Sequence, residues 1–320
     1  MIKEQNRTDF PHSDGFKRYY TWDYYLKKTF SGKVSKLSIN GGFTCPNIDG
    51  TKGRGGCIYC SSSGSGDFSA PADHSIPRQI ERMKASMKSK WDTDKFIAYF
   101  QAHTNTYAPV DKLRELYDSA LSCDNIVGLS VSTRPDCIDE DIADLLASYK
   151  DKTHLTVELG LQSVSDSTAE FINRCHTYND FLKGFSLLRE RGIRICVHII
   201  NGLPGEDRSM MMDTAREMAR IRPDIIKIHL MHVLKNTRLA QIYEQGGLTP
   251  LSLEEYISIV CDQLEILPPD IIIERVTGDG AKDDLIAPLW SLKKFVVINE
   301  IDKELLRRDS HQGKKYSSVI

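Results

Sequence analysis

The chain reads as an α/β protein in which a parallel sheet is covered by helices. Six short β-like runs are each followed by a helix-like stretch, and such alternation calls for parallel strands joined by helical crossovers. Six units fall short of the eight of a closed barrel. That leaves an open partial (βα)6 barrel or a doubly wound sheet, and in both the ligand sites lie at the carboxyl ends of the strands. The 320 residues, 40% hydrophobic and 27% charged, have the composition of an ordinary globular protein with a sizeable core.

The elements follow in order. Residues 1–36 form a polar, aromatic and basic lead-in. Between Gly15 and Lys36 lie Phe16, Tyr19, Tyr20, Trp22, Tyr24, Tyr25 and Phe30, interleaved with Lys17, Arg18, Lys27, Lys28, Lys33 and Lys36 against the single acid Asp23. This pattern suits an amphipathic helix docked by its rings, and equally suits stacking on unpaired bases. Residues 37–247 hold most of the alternating pattern. Strands are expected over Val34–Ile39, Lys95–Phe100, Ile126–Ser132, Leu155–Leu161, Ile193–Ile199 and Ile225–Leu230. Helices are expected over Ile76–Lys90, Asp111–Leu121, Asp139–Tyr149 (with an acidic start), Ser165–Asn173, Tyr178–Arg191 (stopped by Gly192), Asp207–Arg220 and Thr237–Gln245 (closed by Gly246-Gly247). Residues 248–320 form a C-terminal α/β extension: helix Leu251–Leu267, strand Ile271–Val276 and a mostly helical Pro288–Arg308. Lys293, Lys294, Lys303, Arg307, Arg308, Lys314 and Lys315 make its end basic, although Glu300, Asp302, Glu304 and Asp309 lie among them.

The charge balance, 42 Lys+Arg against 44 Asp+Glu, excludes a globally basic nucleic-acid binder but not a local basic patch. No apolar run reaches the 18 or so residues of a membrane helix. The polar start lacks the apolar stretch of a secretory signal, so a cytoplasmic location is expected. In that reducing compartment the eight cysteines are not expected to pair as disulfides. Cys123, Cys137, Cys175, Cys196 and Cys261 are scattered and read mostly as small buried hydrophobes.

Cys45, Cys57 and Cys60 are different. They share one glycine-rich loop after the first strand, with eleven residues between the first two and two between the last pair. A Cys-x-x-Cys unit aims two thiolates at one metal centre, and glycine lets the backbone wrap closely around it. Three chemistries compete. Structural zinc needs a fourth ligand, which His74 could supply as Cys₃His. A thioredoxin-like pair leaves Cys45 unexplained. A 4Fe–4S cluster on three thiolates keeps one iron open as a binding position.

Together with motifs at the other strand ends, this loop resembles the radical SAM superfamily, whose signature is three clustered cysteines after the first strand of a partial barrel. The usual spacing places three residues between the first two cysteines. Eleven resembles the Elongator catalytic-subunit-like branch, which has a longer insertion. The segments Tyr99–Tyr107 and Ser132–Asp136 match the second and third strand ends of that branch. Val157-Glu158-Leu159-Gly160-Leu161-Gln162-Ser163 is similar to its fourth-strand motif, and His198–Gly205, ending Gly-Leu-Pro-Gly, to its fifth. Thr277-Gly278-Asp279 and Leu285–Trp290 resemble the YhcC/YtqA-type family, and the likeness runs from about Phe16 to Tyr316.

The resemblance implies a radical SAM partial barrel with a 4Fe–4S cluster on Cys45, Cys57 and Cys60 and S-adenosyl-L-methionine (SAM) on the open iron, yielding a 5′-deoxyadenosyl radical. It implies that Tyr59 lies near adenine, that Gln101, Thr104 and Asn105 meet the SAM amino group, and that Ser132 and Arg134 follow the third strand, Arg134 holding a carboxylate. It further implies Glu158 and Gln162 on ribose hydroxyls, Arg174 on the methionine carboxylate and His198 as a polar ribose contact. YtqA-type members are implicated in tRNA wobble-uridine modification, under the name MnmL. The implied step converts 5-carboxymethylaminomethyl-uridine to 5-aminomethyl-uridine, with tRNA as partner and a one-electron donor such as flavodoxin or ferredoxin; a radical SAM enzyme for a small-molecule or protein substrate and a zinc-stabilised RNA-binding module without catalysis are the alternative readings. The basic clusters near 17–36 and 293–315 are the candidate phosphate-binding surfaces.

Overall fold

The structure, a computed structural model, describes residues 10–13, 15–61, 64, 73–88, 93–278, 280 and 282–316. Its elements in chain order are α1 (Trp22–Phe30), β1 (Val34–Ile39), α2 (Ile76–Lys88), β2 (Lys95–Phe100), α3 (Val110–Leu121), β3 (Ile126–Thr133), α4 (Glu140–Lys150), β4 (His154–Gln162), α5 (Asp166–Phe171), α6 (Tyr178–Glu190), β5 (Ile195–Asn201), α7 (Arg208–Ile221) and β6 (Ile225–Leu230). There follow β7 (Val233–Leu234), α8 (Arg238–Glu244), α9 (Leu253–Ile266), β8 (Ile272–Arg275), β9 (Leu285–Ala287) and α10 (Lys294–Arg307). The main sheet has seven strands in the order β1-β2-β3-β4-β5-β6-β8, and β7 and β9 form a separate antiparallel pair. The expected six strands are all present, and β8, from the tail, is the seventh. Residues 89 and 90 of the expected second helix, and Asp279 of the Thr277-Gly278-Asp279 motif, lie outside the described residues. Among the described residues no helix is long and apolar enough to cross a membrane.

The chain divides into two compact units, Leu26–Leu161 with Asn173–Val197, and Met1–Tyr25 with Gln162–Ile172 and His198–Ile320. In the unit containing Leu26, β1 to β4 pair in parallel, placing Leu37 beside Ala98, Ala98 beside Leu129, and Leu129 beside Leu155. The Val157 N–H donates to Arg194 O (3.0 Å) at the approach to β5. Because successive strand side chains point to opposite faces, this register separates two kinds of residue. Leu37, Ile39, Phe96, Phe100, Leu129, Val131, Leu155, Val157 and Leu159 share one face and are buried. The same register lines up Ser38, Tyr99, Ser130 and Thr156 on the other face. Tyr99, Ser130, Thr156 and Glu158 on that face are buried too. Strands buried on both faces usually read as continuous apolar runs, so a buried polar face is the departure that calls for an explanation.

Most element boundaries shift by one or two residues from the sequence reading, the last helix starts at Lys294 rather than Pro288, and two of the shifts have a clear local reason. β5 starts at Ile195 rather than Ile193 because Gly192 (φ +65°) turns the chain. The Ile193 N–H is then used to cap α6 at Leu188 O (3.1 Å). α5 stops at Phe171 and Asn173 is left-handed (φ +55°), a conformation that cannot propagate a right-handed helix.

In the other unit β6 pairs in parallel with β8, Ile225 beside Ile272, and the Met231 N–H reaches Asn201 O (2.9 Å) at the end of β5. The lead-in runs alongside β8, the Ile273 N–H donating to Tyr20 O (2.7 Å). α9 starts in a capping box in which the Ser252 hydroxyl accepts from the Glu255 N–H and the Glu255 carboxylate accepts from the Ser252 N–H.

One glycine fixes how helix and sheet end meet in the first unit. A Cβ on Gly184 of α6 would overlap the Pro135 carbonyl, so α6 packs directly on the turn that follows β3. Gly184→Ala is expected to cost about 1–3 kcal/mol of stability through this overpacking, measured by urea unfolding against the parent protein.

Candidate functional site

The cysteine loop leaves β1 at Asn40, whose backbone is held at both ends by one side chain of α2. The Asn40 N–H donates to Gln79 Oε1 (2.9 Å), and Gln79 Nε2 donates to Asn40 O (2.9 Å) and His74 O (2.9 Å). The loop then folds back on itself. Cys45 O accepts from the N–H groups of Ile48 (2.8 Å) and Asp49 (3.1 Å), Pro46 O from those of Lys52 (2.8 Å) and Gly53 (3.1 Å), and Asn47 O from that of Gly56 (2.9 Å). A final turn, Cys60 N–H to Cys57 O (3.0 Å), closes the Cys-x-x-Cys unit. The eleven-residue spacing is thus a compact hydrogen-bonded excursion that returns the chain to Cys57. It needs a glycine at 53, where a Cβ would overlap Asn47 Oδ1 and lie 2.6 Å from Cys175 Sγ.

Two residues from elsewhere in this unit fix the excursion. The Asn173 side chain donates to Gly56 O (2.7 Å) and Arg54 O (3.1 Å). The Lys52 ammonium donates to Asp136 Oδ2 (2.7 Å) and Asp136 O (3.0 Å). Asp136 also receives both arms of the Arg134 fork, Nε to Oδ1 (3.0 Å) and Nη2 to Oδ2 (2.9 Å). Burial raises the Asp136 carboxyl, but the Arg134 and Lys52 hydrogen bonds and charges outweigh it and hold it down to about 2.

Cys57 is buried, and its sulfur accepts from Arg174 Nη1 (3.6 Å) and Asn47 Nδ2 (3.6 Å). The other arm of Arg174 donates to Gly160 O (2.5 Å) at the end of β4. Burial, then Asp136, pushes the Cys137 thiol up to about 12, and burial also raises those of Cys123, Cys175 and Cys261. The expectation that the scattered cysteines are buried hydrophobes holds for Cys196 and Cys261, while Cys123, Cys137 and Cys175 are partly exposed.

The predicted cofactor residues of this unit gather at the ends of β2 and β3. The backbone past β2 is strained, with Ala102 (φ +82°) and His103 (φ +58°) both left-handed. Thr104 follows, its N–H donating to Thr44 O (3.2 Å) of the cysteine loop. The Asn105 side chain donates to Ala102 O (3.0 Å) and Ser132 O (2.8 Å), joining the two strand ends. Gln101 Nε2 donates to Ser38 Oγ (2.8 Å) on β1. Among the described residues, Thr104 Oγ1, Asn105 Oδ1, Arg134 Nη1 and Arg174 Nε are buried without a hydrogen-bond partner. Burial, then the neighbouring Cys57, raises the Tyr59 phenol far above its usual range, so it remains a neutral donor. Burial, then the Arg174 charge, lowers the nearby His176 to about 3, leaving a neutral imidazole.

Glu158 is tied to its neighbours on the sheet. Its fully buried carboxylate accepts from Lys36 Nζ (2.7 Å) and Ser130 Oγ (2.5 Å) on Oε1 and from the Tyr99 hydroxyl (3.1 Å) on Oε2, a strut across β1 to β4. Arg134, expected to grip a ligand carboxylate with its fork, spends that fork on Asp136. Gln162 and His198 lie in the other unit. Gln162 is left-handed (φ +79°) with its Oε1 unpartnered among the described residues, and the His198 ring lies 5.1 Å from that of His229.

Many cations of the two basic clusters are paired within the chain, Arg18, Lys36 and Arg308 largely covered and Lys303, Arg307 and Lys315 still exposed. Lys17 pairs with Asp302 (2.5 Å), Arg18 donates to Ser310 O (3.2 Å), and Lys36 is bound to Glu158. Lys303 pairs with Glu300, Arg307 and Arg308 with Glu304, and Lys315 with Glu265. Asn47, Lys52, Asp136 and Asn173 were not singled out from sequence. Asp136 stands inside the quoted Ser132–Asp136 motif beside its partner Arg134, and Asn47 lies two residues after a candidate ligand, but Lys52 and Asn173, which complete their contacts, are remote from them in sequence.

Comparisons with known proteins agree with this geometry. The Radical SAM superfamily model matches residues 48–218, and the Radical_SAM C-terminal domain model matches residues 223–307. YtqA of Bacillus subtilis (strain 168) is 50% identical over 310 residues, 97% of this chain and 96% of its own. YhcC of Escherichia coli (strain K12) is 38% identical over 281 residues, 88% and 90% of the two chains. A tRNA uridine(34) acetyltransferase of Methanocaldococcus jannaschii is 31% identical over 157 residues, 48% of this chain and 28% of its own. Among solved structures, an N-terminally truncated archaeal Elp3 of Methanocaldococcus infernus superposes with a TM-score of 0.63 at 18% identity, covering 89% of this chain and 67% of that one. This likeness shows a shared fold.

The depressed Asp136 carboxyl makes a pH prediction. A carboxylate whose folded pKa lies below its unfolded value of about 3.9 stabilises the fold above that value, and the stabilisation disappears as pH falls towards the folded pKa. Between pH 5 and pH 2 the metal-free protein should lose about 2 kcal/mol more than the Asp136→Asn variant. Urea unfolding of both at the two pH values measures the difference.

Proposed function

Since the chain belongs to the radical SAM superfamily, in the YhcC/YtqA-type family near the Elongator branch, we propose that it is a tRNA-modifying enzyme that acts on the wobble uridine. Its cofactors are a 4Fe–4S cluster and SAM. When bound, they supply a 5′-deoxyadenosyl radical that removes a hydrogen atom from the substrate. A one-electron donor such as flavodoxin or ferredoxin completes the system.

The residues of the site fit these groups. Cys45, Cys57 and Cys60 offer soft thiolates suited to iron–sulfur ligation. The observation that carries the reading is the set of unpartnered buried polar atoms around this loop. Leaving such atoms unsatisfied costs about 1–3 kcal/mol each, so a cluster of them marks a place for another polar molecule. Thr104 Oγ1 and Asn105 Oδ1 can accept from an ammonium group, and Arg134 Nη1 can donate to a carboxylate, which are the two charged ends of an amino acid moiety. The Tyr59 ring, in the turn between two of the cysteines, suits the adenine. Locking of the loop by Asp136 and Asn173 keeps these groups in place before any ligand arrives, the basis of an oriented, water-excluding site.

Support for a tRNA substrate comes from the acetyltransferase relative, named for uridine 34, whose similarity covers about half of this chain. The proposed reaction converts 5-carboxymethylaminomethyl-uridine to 5-aminomethyl-uridine. The base would have to leave its stack to reach the reacting centre. The protonated thiols and the absence of disulfides among the eight cysteines suit a reducing cytoplasm.

Anaerobic reconstitution should load about four irons and four sulfides per chain, as a 4Fe–4S cluster requires. Single Cys45→Ala, Cys57→Ala and Cys60→Ala variants should lose most of the iron, while Cys123→Ala and Cys261→Ala keep it. Nucleoside analysis of tRNA from a deletion strain should show 5-carboxymethylaminomethyl-uridine accumulating. Unchanged wobble uridines would remove the tRNA assignment and leave the cofactor chemistry in place.

A further inference from the structure

Asn47 belongs to the eleven-residue excursion between Cys45 and Cys57, and its side chain is fully buried. Its amide nitrogen lies 2.5 Å from Asn173 O and 3.6 Å from Cys57 Sγ. Both neighbours are acceptors, so the carboxamide has one sensible orientation: turned over, its oxygen would face a carbonyl and a sulfur. In the observed orientation Oδ1 has no partner among the described residues, and it sits where a Cβ on residue 53 would be if that residue were not glycine. A side chain serving only to pack this loop would gain by being apolar, because an unsatisfied buried oxygen is a cost. What the carboxamide gains is an NH₂ group that spans two acceptors, Asn173 O and the Cys57 sulfur.

We infer that Asn47 is a positioning residue that sets the reduction potential of the cluster, by donating a neutral N–H···S hydrogen bond to the Cys57 ligand sulfur. Such a bond withdraws electron density from a thiolate, weakens its donation to iron and stabilises the more negative, reduced cluster. Arg174 supplies a second, charged donor to the same sulfur (3.6 Å) from beyond β4. The long spacing between the first two cysteines therefore has a chemical use, because the excursion brings its own donor back to one ligand. The inference rests on the reading of Cys57 as a cluster ligand.

The test is an EPR-monitored redox titration of the reconstituted full-length protein at pH 8. The expected order of potentials is wild type above Asn47→Leu above Asn47→Asp, since leucine removes the donor and aspartate adds a negative charge in the same volume. At a fixed poise the reduced-to-oxidised ratio of Asn47→Asp should fall at least about tenfold, about 59 mV for a one-electron couple. Should Asn47→Leu fail to load the cluster, the isosteric aspartate variant carries the comparison alone. Asn173→Gly removes the side-chain bonds to Arg54 O and Gly56 O that brace the excursion, tolerates the left-handed backbone at that position and keeps the Asn47 donor, so its shift should be smaller than that of Asn47→Asp. An Asn47→Asp potential equal to wild type, or an Asn173→Gly shift as large as that of Asn47→Asp, overturns the inference. A Cys57→Ala variant that keeps the full cluster overturns the ligand assignment and the inference with it. Loss of the cluster in Cys57→Ala with an unshifted Asn47→Asp overturns the inference alone.

Discussion

A single buried carboxylate, Asp136, joins the cysteine loop to the sheet. It receives the Arg134 fork and the Lys52 ammonium, two cations that come from the end of β3 and from the loop excursion. An aspartate buried alone would be expelled or protonated. With two cations satisfying both oxygens it becomes a rigid joint. The direct seating of α6 on the Pro135 turn, made possible by Gly184, fixes the height of that joint. Helix packing thus sets the position of Asp136, Asp136 sets the loop, and the loop sets the sulfur atoms.

The polar face of the sheet follows a related rule. Glu158 is surrounded by Lys36, Ser130 and Tyr99, and in the other unit Lys227 pairs with Glu274 (3.2 Å) with both side chains nearly inaccessible. Buried ion pairs rarely stabilise a fold more than apolar packing would. A sheet that spends several of its inward positions on them is shaped for polar ligands, and its stability must come from the apolar face packed under the helices. The strained backbone after β2, with two successive left-handed residues, belongs to the same pattern: local cost concentrated where the site lies.

The charged lead-in and tail show what composition leaves open. Lys17, Arg18, Arg307, Arg308 and Lys315 have partners within the chain, and Arg307 and Lys315 keep most of their side chains at the surface. Acids interspersed among the C-terminal cations supply some of these partners: Asp302 for Lys17, and Glu304 for Arg307 and Arg308. Sequence shows both signs present but not which of them meet.

The sequence alone determined the α/β class, the six alternating strands and the gathering of Cys45, Cys57 and Cys60 in one loop after β1. These are local properties: period, chain punctuation and short spacings survive without knowledge of the fold. It also placed Thr104, Asn105 and Arg134 at strand ends, because the parallel topology sends every strand end to the same side. Only the tertiary structure decided that β8 from the tail joins the sheet, that Glu158 is occupied by Lys36, that the Arg134 fork is spent on Asp136, and that Asn47 reaches Cys57. Each of these joins residues far apart in the chain or turns on which of several available donors an acceptor receives. Register and packing make that choice: even Arg134 and Asp136, two residues apart, could each have met another partner.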